Sequence, residues 1–70
     1  MVTSIQHFDD SSYIAGEWST LLGSHYYEAL VTNGAVVDCS VIEFGSWQTY
    51  KPCDLPVFVL TEIYKAAETL

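Results

Sequence analysis

A chain of 70 residues with nine aspartates and glutamates, two lysines and no arginine carries a formal net charge of −7. That balance argues against direct nucleic-acid binding and against attachment to an anionic membrane, both of which need lysine and arginine to neutralise phosphates. Half of the residues are hydrophobic and only 16% are charged, so a single domain over 1–70 with a packed core is expected rather than a disordered chain, with apolar surface left for a partner.

Taken in chain order, Val2 to Phe8 alternates loosely and reads as a strand. Asp9-Asp10-Ser11-Ser12 supplies a turn and candidate N-caps, after which Ile14, Trp18, Leu21 and Leu22 recur at i, i+4, i+7 and i+8. This spacing predicts a first helix near Ser12 to Leu22, stopped by Gly23, with Asp9 and Asp10 favouring its positive N-terminal end and Leu21 in the core. Tyr26 to Thr32 and Ala35 to Phe44 are rich in aromatic and branched residues, and Asn33-Gly34 between them predicts a type I′ hairpin. Gly45-Ser46 is a weaker turn into a short strand, Trp47 to Tyr50. Pro52 and Pro56 place a loop. Asp54 then caps a second helix with Pro56 in its first turn and Leu60, Ile63, Tyr64 and Ala67 as its apolar stripe; Val57 to Leu60 alone would also pass for a strand. The expected fold is α+β: a small antiparallel sheet of three to four strands with two helices, in the order β-α-β-β-β-α.

With a plain two-residue turn, Thr32 pairs with Ala35, Leu30 with Val37 and Tyr26 with Val41. One hairpin face then carries Tyr26, Leu30, Val37, Cys39 and Val41, and the other Tyr27, Ala29, Val31, Val36, Ile42 and Phe44, with Trp47 beside Phe44. A bulge of one residue would exchange these faces. Helices covering one face leave the other as an aromatic patch; helices on both faces leave none.

The residues give little support to site chemistry. His7, His25, Cys39 and Cys53 lack the paired spacing of a structural zinc site, so no metal and no cofactor are expected. The two cysteines read as thiols, a bridge between them being the alternative. No phosphate-cradling glycine motif or nucleophile elbow is present, and 70 residues leave scant room for a small-molecule pocket, so the chain is not expected to be an enzyme and no catalytic residue is assigned. No apolar run nears the ~20 residues of a membrane span, and MVTSIQHFDD lacks the regions of a secretory signal; the expectation is a cytoplasmic protein, in the host cytoplasm if viral.

What remains is a binding surface. Tyr27 and Trp47 are the aromatic residues expected to be exposed, and Glu28, Asp38 and Glu43 are the acids that helix capping does not account for; with Phe44 they form the expected partner-binding set. In size and charge the chain is similar to small acidic phage-encoded inhibitors, including anti-CRISPR proteins and DNA-mimic inhibitors, a likeness of composition carried by no motif. The expected function is an inhibitor or adaptor that docks an acidic and aromatic surface onto a basic site of a protein target, one that itself binds nucleic acid. The alternative is a structural protein that forms a homodimer through an apolar sheet face.

Overall fold

The structure, a computed structural model, describes residues 1–43 and 46–69, and the side chains of all of these except Glu43, Ser46, Trp47 and Cys53. Among the described residues the chain forms strands β1 (Val2–His7), β2 (Ser11–Thr20), β3 (Gly23–Thr32), β4 (Ala35–Glu43) and β5 (Ser46–Thr49), then a short 3₁₀ turn (Pro52–Asp54) and a helix, α1 (Val57–Glu68). The strands make one antiparallel sheet in sequence order, β1-β2-β3-β4-β5. The fold is α+β as expected, but with five strands and one helix in place of three to four strands and two helices.

The expected first helix is strand β2. Its segment satisfies both periods: Ile14, Trp18, Leu21 and Leu22 at helical spacing, and Ser12, Ile14, Gly16 and Trp18 alternating with Tyr13, Ala15 and Glu17. The partner strand decides between them, since β2 pairs with β3 residue for residue from Ser11↔Thr32 to Thr20↔Gly23. Burial follows the period of two, with Ser12, Ile14 and Gly16 inside. Leu21 and Leu22 therefore sit in the turn and are fully exposed, contrary to the core role expected of Leu21. Gly23, at φ +129°, serves that turn and stops no helix. Asp9 and Asp10 lie in the β1–β2 turn, so the capping role expected of them has no helix to act on.

The Asn33-Gly34 turn forms as read. Both residues take positive φ, 53° and 77°, and Thr32 pairs with Ala35. One residue later β4 bulges at Val37, so Leu30 pairs with Asp38 and Tyr26 with Ile42 rather than with Val37 and Val41. The bulge exchanges the faces of everything beyond it: Cys39 and Val41 join Tyr27, Ala29, Val31 and Val36 inside, and Ile42 joins Tyr26 and Leu30 outside.

That inner face packs on α1, which lies across β1, β2 and β3. The helix buries Val59, Ile63 and Ala66, an i, i+4, i+7 stripe, with Leu60 and Ala67 partly covered and Tyr64 exposed. This is the expected stripe rotated by about one residue. Pro56 is the N-cap, and Asp54 ends the 3₁₀ turn instead of capping the helix. Gly16 faces Tyr27 across the sheet, and a Cβ there would collide with the Tyr27 phenol and the Met1 carbonyl. The absence of a side chain at Gly16 is what lets the Tyr27 ring lie down into the core.

Candidate binding surface

Among the described residues one helix packs on the five-stranded sheet, and no element covers the other face. Its side chains follow from the register in three cross-strand rows. The first runs Glu17, Tyr26, Ile42; the second Ala15, Glu28, Ser40; the third Tyr13, Leu30, Asp38. The Cα partner of Ile42 on β5 is Trp47. Tyr26 is about half exposed, and Leu30 and Ile42 are partly exposed.

The three carboxylates fall on one diagonal. Each step from Glu17 to Glu28 to Asp38 moves one strand over and two residues along, which separates neighbouring positions by about 8 Å. No lysine shares the face: Lys51 follows β5 and Lys65 is on α1, on the opposite side of the sheet. The middle acid is fixed in place by Tyr13, whose Oη donates to Glu28 Oε1 at 2.7 Å. The same bond, with partial burial and the charge of Glu28, raises the Tyr13 pKa above the ordinary tyrosine value. Tyr13 thus stays a neutral donor to Glu28 at neutral pH. A cleft of about 190 Å³ opens among Tyr13, Glu28, Leu30, Asp38 and Ser40.

Of the residues expected to bind a partner, Glu28 and Asp38 stand on this face. Tyr27 does not. It is 1% exposed in the core, and Tyr26 takes the outward place. The reversal follows from the parity set by pairing with β2, which puts Tyr27 opposite Gly16 on the helix side. The Tyr27 hydroxyl is buried with no hydrogen-bond partner among the described residues, and burial with the nearby charge of Glu62 pushes its pKa up to about 12. Phe44 lies outside the described residues, as do the side chains of Glu43 and Trp47. Tyr13, Glu17 and Tyr26 were not read from the sequence as site residues; Glu17 and Tyr13 had been placed on a helix, and their alternation with Ile14 and Gly16 was the signal available.

Elsewhere, a larger cleft of about 450 Å³ lies between the β1–β2 turn, the Asn33-Gly34 turn and the end of α1, lined by His7, Asp9, Asp10, Asn33, Tyr64 and Glu68 among others. In it His7 Nδ1 is 2.8 Å from Ser12 Oγ. These two are register partners on β1 and β2, and His7 has no carboxylate hydrogen-bonded to its ring that would orient it as a base. Cys39 is buried, and its thiol donates to the Tyr50 carbonyl at 2.7 Å; a bridge to Cys53 concerns a side chain outside the described set. Among the described residues no three histidine, cysteine or acidic side chains cluster as metal ligands, and no helix is long and apolar enough to cross a membrane. Compared with protein-family models, with curated proteins and with solved structures, the chain matches none.

Proposed function

We propose that this protein is an inhibitor or adaptor that docks the uncovered face of its sheet onto a basic surface of a protein target. The observation that carries the reading is the diagonal Glu17, Glu28, Asp38 on a face that has no lysine and is interleaved with Tyr13, Tyr26, Leu30 and Ile42. A strip of one sign on a net charge of −7 steers encounter with a positive patch. Tyrosines and aliphatic side chains between the charges supply contact area that water can leave. The strands hold both sets in fixed register, so little ordering is required on binding. A protein surface rich in lysine and arginine is commonly one that binds nucleic acid, which makes such a site the target class. The same carboxylates weigh against the alternative of a homodimer built face to face on this sheet, because a two-fold axis would set like charges against each other.

Capture of the target from the source cell, followed by kinetics on the purified pair, tests the reading. Reversal of Glu17, Glu28 and Asp38 to lysine is expected to slow association about tenfold or more and to flatten its salt dependence, with the circular dichroism spectrum unchanged. Tyr26→Ala is expected to speed dissociation instead. Nucleic acid is expected to compete with the protein for the target. A triple variant that binds with unchanged rates would place the interface elsewhere.

A further inference from the structure

Among the described residues the long β2–β3 hairpin has no paired neighbour beyond Glu17 and Tyr26: β1 pairs no further than Gly16, with the Met1 carbonyl reaching the Glu17 amide, and β4 no further along β3 than Tyr26. Residues 18–25 therefore form a two-stranded arm. At its tip stand Leu21 and Leu22, 106% and 95% exposed. The tip is not loose. The Thr20 hydroxyl accepts from the Leu22 amide at 3.1 Å, and Thr20 closes the turn by pairing with Gly23. Two leucines so displayed forgo the stabilisation that burial of their side chains would give.

A receptor for them lies on the same end of the molecule. The helix-facing underside of the arm carries Trp18 stacked on His25, with ring centroids 4.9 Å apart. Between this stack and Tyr50, Leu55 and Pro56 is a pocket of about 200 Å³. Apolar cavities of ~150 Å³ take up a benzene, so this one has room for the four-carbon side chain of a leucine. Next in sequence after Pro56, Val57 and Phe58 are 79% and 56% exposed at the start of α1. Tip and pocket are three residues apart along the arm, about 10 Å. Two arms laid antiparallel, underside to underside, place each tip at the base of the other, and one two-fold axis satisfies both contacts. Charge permits it: residues 18–25 contain no aspartate, glutamate, lysine or arginine, and among the described residues Asp54 is the acid that lines the pocket. This is the end at which two chains of charge −7 can meet without opposing their acidic diagonals.

We infer that the protein self-associates through this arm, the Leu21-Leu22 tip of one copy seating a leucine side chain in the Trp18–His25–Leu55–Pro56 pocket of a second copy and the reverse. The contact is separate from the acidic sheet face, and it stands or falls independently of the function proposed for that face.

Sedimentation equilibrium of the full chain is expected to give twice the 7.8 kDa chain mass at micromolar concentration, and that mass should persist as salt is raised. Replacement of Leu21 and Leu22 together by serine is expected to weaken the dimer about 100-fold or more and to leave the melting temperature of the isolated fold unchanged, since neither side chain is buried in one copy. Isotope-filtered NOEs should connect the methyl groups of Leu21 and Leu22 in one copy to the Trp18 ring of the other. The Glu17, Glu28 and Asp38 reversal variant should keep the dimer mass. A chain that remains at 7.8 kDa into the millimolar range overturns the inference, as does a dimer whose mass is untouched by L21S/L22S.

Discussion

Tyr26 and Tyr27 are neighbours in sequence with the same side chain, yet one is about half exposed and the other 1% exposed. They stand for the two faces of the sheet. The face that carries Tyr27 is packed on α1, is apolar except for Ser12 and has no slack at Gly16. The face that carries Tyr26 mixes carboxylates with tyrosine and aliphatic groups and is covered by no element among the described residues. The comparison teaches that composition alone does not separate core from surface in this chain: the β2–β3 pairing does, by fixing which parity faces the helix.

Substitutions on the two faces should differ in kind, and the largest effects belong to the inner one. Ile63→Ala should lower stability in urea melts by about 3 kcal/mol, because Ile63 is fully buried between helix and sheet. Gly16→Ala should cost about 2 kcal/mol, since its Cβ has to displace the Tyr27 phenol or the Met1 backbone. Equal stability of Gly16→Ala and the parent protein would mean that the Tyr27 ring does not lie over Gly16.

Alkaline pH sharpens the contrast between the tyrosines. An unfolded tyrosine ionises near pH 10, whereas Tyr27 in the fold does so at about 12. Between those values the unfolded chain has released a proton that the folded one retains, so stability should be intact below pH 10 and fall as pH rises toward 12. The loss is on the order of 2 kcal/mol. Tyr27→Phe should remove most of that decline and cost nothing at pH 7, because the hydroxyl it deletes has no partner among the described residues. Tyr26→Phe should leave the decline in place. On the outer face the effects shrink further: Tyr13→Phe, which removes the bond to Glu28, should cost about 0.5–1 kcal/mol.

How much of this was legible in the chain itself depended on how local the deciding physics was. Asn33-Gly34 announces a turn because positive φ at two successive residues is a property of those residues, and the hairpin formed there. The second helix was legible for the same reason, its stripe displaced by one position. The segment 12–22 was not. Ile14, Trp18 and Leu22 satisfy a helical period and Ser12, Ile14, Gly16 and Trp18 a strand period, and the choice is made by ten residues of β3 that no window on 12–22 contains. The Val37 bulge was equally hidden, and it decided the faces of Cys39, Val41 and Ile42. Glu28 and Asp38 were legible as acids that no cap explained; the outward places of Tyr26 and Glu17 follow from the pairing of β2 with β3, which a helical reading of 12–22 hides.

The strand order bears on how the chain reaches this structure. Every strand in β1-β2-β3-β4-β5 lies beside its sequence neighbour, so the sheet can zip from its two tight turns by closing short loops, each on the microsecond scale typical of hairpins. The helix is different: it must find β1, whose residues precede it by about fifty positions, and its apolar stripe has nothing to cover until β1, β2 and β3 are aligned. Folding is therefore expected to be sheet first and helix last, with perturbations in the Asn33-Gly34 turn slowing folding and perturbations at Val59 or Ile63 mainly accelerating unfolding.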